Sequence, residues 1–341
     1  MADGDGALVV GAGVAGLACA QALAAAGRRV AVVDRARGVG GRCTTRRVEE
    51  QPVDIGPAFL HGRDPGFLAA LAAVPATRVP GWPLAVRGSG RPCQPEAFQA
   101  GEERLAFAEG VSAFPRHLAA GLDVRCGARV ERLDLSGAGP RAILEGGEAL
   151  GSRTLVLALA PEQVQRLLEA VEDAPPAVRT ARALLDTSRS DPSLSLAALY
   201  APAAAPPPWH VLYPEGSQVL QVVSHDSSKR RAPAFLALVF QAHPRWSRQH
   251  ADDPAWPDAL LAEAGRLLGD WALRPLHRHP HRWRYARTDR AGELAAPLLL
   301  SFAGGRRLGI CGDRFAPGGG VEAAWISGRE LARRILAEEV A

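Results

Sequence analysis

The first 42 residues constrain the fold more than any other part of the chain. An apolar segment, residues 8–10, runs directly into Gly11, Gly13 and Gly16, which have the spacing of the GxGxxG fingerprint. The spacing predicts a short buried strand, a tight turn and a helix over about residues 14–26. The N-terminus of such a helix presents unpaired N–H groups and a positive dipole end to a diphosphate. This pattern is typical of a dinucleotide-binding domain.

Two further features of the same region indicate which dinucleotide is bound. A second apolar strand, residues 30–33, ends at Asp34, where a carboxylate can accept hydrogen bonds from the ribose hydroxyls of adenosine. Gly40, Gly41 and Arg42 follow, and a plain NAD site does not need them. A second glycine pair lets the backbone approach the diphosphate from its other side, and the Arg42 guanidinium can pair with phosphate oxygens. The combination favours FAD over NAD.

Composition indicates one compact two-lobed enzyme. The chain has 341 residues, of which 47% are hydrophobic and 22% charged. This length is sufficient for two lobes but not for two independent folding units. The formal net charge of +4 comes almost wholly from arginine, because Lys229 is the only lysine. No basic run with interleaved aromatic residues is present, so we expect no nucleic-acid partner. The net positive charge is instead consistent with a small anionic substrate.

The cysteines and histidines predict neither disulfides nor a metal. The five cysteines are odd in number and far apart, which is typical of a reducing, cytoplasmic location. His277, His279 and His281 alternate as on one strand face, but no acidic or cysteine partner is near them in sequence, so no metal site is expected. The first strand begins at residue 7, which leaves no room for a signal peptide. No apolar run reaches the length of about 20 residues that spans a membrane, so no membrane partner is expected.

The C-terminal region carries a second group of dinucleotide-binding features. An apolar strand, residues 308–311, ends at Gly312 and Asp313, whose carboxylate can bind the ribityl hydroxyls of a flavin. Residues 318–320 are glycines that open a helix from Val321, and the N-terminus of that helix can stabilise the negative charge of a reduced flavin. Binding elements therefore stand at both ends of the chain, which predicts an insertion between them.

The predicted fold class is α/β, a Rossmann-like FAD-binding domain with an inserted α+β substrate domain of mixed sheet plus helices. Residues 1–75, 110–173 and 291–341 are assigned to the FAD-binding domain, and residues 76–109 and 174–290 to the substrate domain. Within the inserted part, residues 80–95 are interpreted as a hairpin with loops, and residues 256–268 as a helix.

Several motifs together resemble the bacterial renalase-like FAD-dependent oxidoreductases, in the amine oxidase and renalase branch of the glutathione-reductase-type flavoproteins. They are GAGVAGLACAQAL, DRARGVGGR, VDIGPAFLHGRDPGF, RWSRQH, HRWRYAR and ICGDRFAPGGGVEAAWISG. The resemblance covers nearly the full length of the chain. It implies a noncovalent FAD and the two-electron oxidation of a dihydropyridine, such as a wrongly reduced isomer of NAD(P)H. It also implies O2 as electron acceptor and hydrogen peroxide as product.

The residues predicted to contact FAD combine the sequence argument with this resemblance. They are Gly11, Ala12, Gly13, Val14, Ala15, Gly16, Asp34, Arg35, Gly40, Gly41, Arg42, Gly56, Pro57, Ala58, Phe59, Val130, Gly312, Asp313, Gly320, Val321 and Glu322.

Three residues are candidates for the chemistry itself. Trp283 and Tyr285 are predicted to form a flat aromatic wall that orients a flat substrate, with Trp246 as a further candidate. His61 follows the predicted flavin-contacting segment and is a candidate base. Taken one at a time, each aromatic residue is more often part of an ordinary hydrophobic core than a substrate contact.

The sequence departs from the renalase pattern in ways that leave other functions open. Pro57, Ala58 and Phe59 stand where the family usually has Ala-Gln-Tyr. One alternative is an amine oxidase or desaturase of the same superfamily, in many of which a lysine lies beside flavin N5; Lys229 is the only lysine that can serve. Another is a noncatalytic binding protein on the same fold, which the intact glycines, Asp34, Arg42 and Asp313 disfavour.

Overall fold

The structure is a computed structural model, and it describes residues 6–136, 139–186, 189–202, 206–288 and 292–340. The helices are α1 (Val14–Ala25), α2 (Pro65–Ala72), α3 (Ala113–Ala119), α4 (Pro161–Glu169), α5 (Pro176–Asp186), α6 (Pro244–His250), α7 (Trp256–Leu268) and α8 (Gly320–Val340). The strands are β1 (Ala7–Val10), β2 (Val30–Asp34), β3 (Thr45–Val48), β4 (Gln51–Asp54), β5 (Leu60–Gly62), β6 (Arg78–Pro80), β7 (Val86–Arg87), β8 (Glu103–Phe107), β9 (Asp123–Cys126), β10 (Val130–Asp134), β11 (Arg141–Leu144), β12 (Ala149–Gly151), β13 (Thr154–Leu157), β14 (Ser190–Tyr200), β15 (Val211–Leu212), β16 (Leu220–His225), β17 (Leu236–Ala242), β18 (His277–Thr288), β19 (Leu298–Phe302) and β20 (Arg306–Ile310). Short 3-10 helices cover Pro95–Phe98, Asp226–Lys229, Asp270–Leu273 and Ala303–Gly305.

The chain divides into two compact units. The first unit contains Met1–Gly41, Phe114–Ser190 and Thr288–Ala341, and the second contains Arg42–Ala113 and Asp191–Arg287.

The first unit is an α/β fold of the Rossmann type. Its main sheet has the strand order β19-β20-β13-β1-β2-β9, and the five strands from β20 to β9 run parallel. Strand β1 therefore lies between β13 and β2, buried along its whole length, as expected for the apolar run that forms it. The separate antiparallel sheet β10-β11-β12 contributes Leu133, Ala142 and Leu144 to the same hydrophobic core.

The first and last helices of the first unit pack closely against each other. A Cβ atom at Gly328 of α8 would overlap the carbonyl oxygen of Ala15 in α1, so only glycine lets the two backbones approach this far. The C-terminal segment thereby supports the helix that follows the glycine loop.

The second unit is built on a six-stranded sheet of order β18-β14-β17-β16-β15-β7, with β18 at one edge. One hydrophobic cluster lies between this sheet and α7 and includes Leu196, Phe240 and Leu260. A smaller cluster joins Val53 and Ile55, from β4 and the residue after it, to Val239 of β17. The sheets β3-β4 and β5-β8-β6 complete the unit.

The predicted domain boundaries differ from these two units. Residues 42–75, predicted within the FAD-binding domain, make their contacts in the second unit, because β4 and β5 pack and pair there. Residues 174–186, predicted within the substrate domain, lie in a segment of the first unit, where α5 packs its buried Val178, Ala181 and Leu185 into the first core. The assignment of one unit to FAD and the other to substrate stays a proposal.

The prediction of a hairpin over residues 80–95 is wrong. Strand β7 instead pairs in parallel with β15, Val86 opposite Val211 and Arg87 opposite Leu212, and β6 pairs with β8. Gly88 is needed after β7 because a Cβ there would overlap the carbonyl oxygen of Tyr213. The helix predicted over residues 256–268 is present with those bounds as α7.

No helix in the described parts of the chain has both the length and the apolar character that a membrane crossing requires.

Candidate functional site

The glycine loop of the first unit is held by the close approach of backbone atoms. Gly11 has φ +110°, and a Cβ there would overlap the carbonyl oxygen of Ala158, the residue after β13. A Cβ at Gly16 would overlap the carbonyl oxygen of Gly11. At Gly13, by contrast, no atom lies within 4 Å of the position of an added Cβ. Gly11 and Gly16 therefore fix the loop, whereas Gly13 leaves an open surface on it.

The predicted second glycine pair lies against this loop. The N–H of Gly40 donates to the carbonyl oxygen of Ala12 at 2.8 Å, and Gly13 and Gly40 form an isolated parallel bridge. Gly41 has φ +56°, and a Cβ there would lie 3.4 Å from the Cα of Gly13. The structure thus brings together two glycine segments that the sequence separates by a helix and a strand.

Asp34 connects the loop to the end of β2. Its Oδ2 accepts a hydrogen bond from the N–H of Ala12 at 2.7 Å, and its Oδ1 accepts one from the N–H of Ala36 at 2.7 Å. Each carboxylate oxygen has a second lone pair, so these bonds leave acceptor capacity for ribose hydroxyls. The neighbouring Arg35 is exposed.

The C-terminal candidates lie at the same edge of the parallel sheet. Gly312 follows β20, and its N–H donates to the hydroxyl of Ser327 at 3.2 Å. Asp313 is 7% exposed. Because β1, β2, β13 and β20 are parallel, the residues that follow them share the carboxyl edge, which is where such folds bind dinucleotides. Val130, at the start of β10, packs against the core of the same unit.

The start of α8 is a run of three glycines in the left-handed region. Gly318, Gly319 and Gly320 have φ values of +91°, +63° and +76°, and the N–H of Gly318 donates to Glu293 at 3.4 Å. Val321 and Glu322 form the first turn of α8. These residues fit a FAD-binding fold, since the open face at Gly13 and the α1 N-terminus, which no side chain among the described residues caps, lie where a diphosphate is expected.

In the second unit, side chains hold the segment of residues 54–59, hereafter the 54–59 segment. The indole N–H of Trp283 donates to the carbonyl oxygen of Ile55 at 3.1 Å, and the amide of Gln241 donates to that of Gly56 at 2.7 Å. The ammonium group of Lys229 donates to the carbonyl oxygen of Ala58 at 2.7 Å. Three residues from three elements thus fix the backbone that was predicted to line the flavin.

A cluster of four buried charges anchors the start of this segment. It consists of Asp54, Asp226, Lys229 and Arg230, whose side chains are 0–3% exposed. Burial alone would raise the pKa of Asp54, but the charges and hydrogen bonds of Lys229 and Arg230 outweigh it and lower that pKa below its ordinary value. Burial acts to lower the pKa of Arg230, and the two carboxylates raise it instead. Asp54 and Arg230 are therefore both stabilised in their charged forms.

The remaining candidates of the second unit occupy distinct surroundings. His61 bonds through Nδ1 to Glu102 at 3.0 Å, and the same carboxylate accepts from Arg63 Nε at 2.9 Å. Arg42 donates to the carbonyl oxygen of Ala286 at 3.2 Å, and its pairing with a phosphate stays a prediction. Phe59 is buried with its ring edge-on to Trp82.

The aromatic candidates lie on one face of β18. His281, Trp283 and Tyr285 alternate along the strand and are half-buried, whereas the intervening Arg282 and Arg284 are exposed. The rings of His281 and Trp283 lie 4.2 Å apart. Burial, with the charges of Arg46 and His279, lowers the pKa of His281 to about 4, so the ring is neutral at physiological pH. Trp246 instead stacks on His250, its neighbour on α6, with ring centroids 4.1 Å apart.

Among the described residues, no group of three or more histidine, cysteine, aspartate or glutamate side chains is arranged to hold a metal ion. His277 pairs with Glu49 at 3.4 Å, and the other two histidines of β18 face Arg46.

Asp226, Arg230, Gln241 and Glu102 were not predicted from the sequence. Asp226, Lys229 and Arg230 stand in a charged stretch between two apolar strands, where a solvent-exposed turn is the ordinary expectation, so nothing local indicates their burial. No local pattern distinguishes Gln241 or Glu102 from surface residues.

The fold and the glycine loop define a flavin-dependent oxidoreductase with FAD as cofactor. Residues 9–73 match the model of the NAD(P)-binding Rossmann-like domain, and residues 92–336 match that of the flavin containing amine oxidoreductases. The chain belongs to the flavin-containing amine oxidoreductase family, because that second match covers more than half of it.

Solved structures show the same fold at low sequence identity. Putrescine oxidase bound to putrescine is 15% identical with a TM-score of 0.75, and the match covers 99% of this chain and 100% of that one. Cyclohexylamine oxidase from Brevibacterium oxydans IH-35A is 14% identical with a TM-score of 0.73, at the same coverage of 99% and 100%.

Proposed function

We propose that the protein is a renalase-like oxidase that removes a hydride from a small, flat substrate of the dihydropyridine type, with O2 as electron acceptor. The observation that supports this most is the neutral aromatic face of β18. Trp283 is bonded to Ile55, directly before Gly56, and His281 lies against it as an uncharged ring. A flat, uncharged wall beside the 54–59 segment can stack on a flat substrate ring.

The charges near this face point to the same substrate class. Burial is the main cause that lowers the pKa of His279 and of His281 below the ordinary value of 6.5. The positive charge of Arg46 lowers both pKa values further. Glu49, in the turn between β3 and β4, contacts His277 at the start of β18, away from Trp283. A positive potential attracts a phosphate-bearing dihydronicotinamide nucleotide and repels a protonated amine.

The chain's own residues have a modest chemical task in this reaction. Bound FAD would supply the hydride acceptor, its N5 atom, and would pass the electron pair to O2 to give hydrogen peroxide. Trp283 and Tyr285 would orient a flat substrate so that its donor carbon is directed at that acceptor. Loss of hydride from a dihydropyridine gives an aromatic pyridinium directly, so the oxidation requires no base. His61 can then keep its hydrogen bond with Glu102.

Anaerobic mixing with a panel of compounds tests the proposal. The panel contains the dihydronicotinamide isomers together with putrescine and cyclohexylamine, and the loss of oxidised-flavin absorbance is followed. We expect a dihydronicotinamide isomer to reduce the flavin fastest, and admission of O2 to release one hydrogen peroxide per substrate oxidised. Faster reduction by an amine would replace this proposal with amine oxidation, the activity that the family name describes.

Variants of the aromatic face sharpen the same test. Tyr285→Ala should slow flavin reduction at least tenfold with FAD content nearly unchanged, because a missing wall loosens the reactive geometry. Trp283→Ala should slow it as much and also weaken FAD binding, because the indole N–H that holds the carbonyl of Ile55 is lost. Trp271→Ala is the matched control, since that indole is 42% exposed on the Asp270–Leu273 helix. Parent rates in both β18 variants would contradict an orienting role.

A further inference from the structure

All three N–H donors of the Lys229 ammonium group have oxygen acceptors within the second unit. Its Nζ lies 2.7 Å from Asp54 Oδ2, 2.8 Å from Asp226 Oδ1 and 2.7 Å from the carbonyl oxygen of Ala58. The ring of Trp82 covers the ammonium group at 4.7 Å, and the side chain is 0% exposed. An ammonium group has three N–H donors, and here each has an oxygen acceptor.

We infer that Lys229 is a positioning residue that ties the carbonyl of Ala58 to the buried charge cluster, rather than a catalytic lysine that holds a water molecule or substrate. A lysine that acts on a reacting group must direct an N–H toward it. Every N–H of Lys229 is directed toward Asp54, Asp226 or Ala58 instead. The inference rests on the proposed placement of residues 56–59 against the flavin.

The bond to Ala58 gives the 54–59 segment a second fixed point. Asp54 already anchors its start through Thr45, Val111, Lys229 and Arg230. Lys229 bonds both to Asp54 and to Ala58, so one side chain sets the distance between the two ends of the segment. Trp283 and Gln241 hold the carbonyls of Ile55 and Gly56, so Lys229 fixes the part of the segment beyond Pro57.

The charge balance of the cluster decides which variants are informative. Two carboxylates face two cations, so Lys229→Met leaves an uncompensated negative charge, whereas the double variant Asp226→Asn/Lys229→Met leaves the neutral pair Asp54 and Arg230. Both variants remove the bond to Ala58. The double variant keeps the test available if the single variant does not fold.

Equilibrium dialysis of each holoenzyme against graded FAD measures what the bond contributes. We expect both Lys229 variants to bind FAD about tenfold more weakly than the parent. Once saturated with FAD, they should be reduced by substrate and reoxidised by O2 at rates within about fivefold of the parent. The flavin reduction potential should become more negative in Lys229→Met and stay near the parent value in the double variant, because the potential follows the buried charge. Arg266→Met is the control, since its pair with Glu263 leaves that arginine 60% exposed.

Two results would overturn the inference. Parent FAD affinity combined with a hundredfold loss of rate in the saturated variants would make Lys229 catalytic. Parent affinity and parent rates together would show that the bond to Ala58 positions nothing. If the parent binds FAD but no compound of the panel reduces it, the proposed function fails while the affinity comparison still decides the role of Lys229.

Discussion

The glycine loop of the first unit and the 54–59 segment of the second unit are both predicted to contact FAD, and different forces fix them. In the loop, glycines permit backbone atoms to touch, as Gly16 does with Gly11 and Gly11 with Ala158. In the 54–59 segment, side chains of Lys229, Gln241 and Trp283 bond to the backbone carbonyls. The first arrangement depends on the absence of side chains, and the second depends on particular side chains being present.

This difference predicts how each region responds to substitution. The close backbone contacts of the glycine loop leave no room for an added Cβ atom. A substitution there disturbs only the atoms around it. Hydrogen bonds to carbonyls are individually modest, about 0.5 to 1.5 kcal/mol, but the charged anchor behind them is expensive to break. Substitutions in the two regions should therefore differ in size and in whether the fold or only the cofactor affinity changes.

The largest effect is expected at the charged anchor. Asp54→Asn leaves Lys229 and Arg230 facing one buried carboxylate, so the free energy of unfolding should fall by about 3–5 kcal/mol, measured by urea denaturation. Because Lys229 and Arg230 lower the pKa of Asp54 despite its burial, the parent loses this stabilisation as the pH falls below the ordinary value of 3.8, and the variant has none to lose. The exposed pair of Arg125 and Glu148 supplies the control, Glu148→Gln, which should match the parent. A stable Asp54→Asn variant would mean that the cluster is not an anchor.

The next largest effect is expected in the glycine loop. Gly16→Ala should lower the free energy of unfolding by about 2–3 kcal/mol, because the new Cβ overlaps the carbonyl oxygen of Gly11. Gly13→Ala should leave the stability of the FAD-free protein unchanged, since nothing lies within 4 Å of its Cβ position, and should weaken FAD binding. Thermal unfolding without FAD and FAD titration separate the two effects. Equal destabilisation by both variants would contradict the division of roles between these glycines.

A smaller effect is expected for an uncharged bond of the 54–59 segment. Gln241→Leu removes the donor to Gly56 without changing charge, and the half-buried carbonyl can bond to water instead. FAD affinity should fall about five- to tenfold, equivalent to about 1–1.4 kcal/mol, with little change in unfolding. Unchanged affinity would show that this bond does not position the segment.

The last effect is a change in the pH dependence of stability, expected from the neutral histidine of β18. Burial, Arg46 and His279 lower the pKa of His281 to about 4 from 6.5, so the unfolded chain binds the proton more readily. The stabilisation is complete above pH 6.5 and is lost as the pH falls toward 4. His281→Gln should flatten the decline in stability across this interval. An identical decline in parent and variant would assign it to other groups.

The same comparison explains what could be predicted from the sequence. The glycine loop, β2 and Asp34 follow one another within about 30 residues, so local spacing is enough to recognise a Rossmann unit. The side chains that bond to the 54–59 segment are separated from their acceptors by 171, 185 and 228 positions along the chain. No local sequence pattern indicates such distant pairs. For the same reason, residues 42–75 were assigned with the glycine loop that precedes them, although their partners lie in the second unit.

The packing of Gly328 against Ala15 has a consequence for the order of events during synthesis. Helix α1 leaves the ribosome early, but its partner α8 and the neighbouring strands β13 and β20 come from distant parts of the chain. At about 5–20 residues per second, the roughly 300 residues between α1 and α8 take on the order of 15–60 s to synthesise. Throughout that time the apolar strand β1 and the small-residue face of α1 lack part of their native cover. We therefore expect the dinucleotide-binding edge to take shape only after α8 has been synthesised.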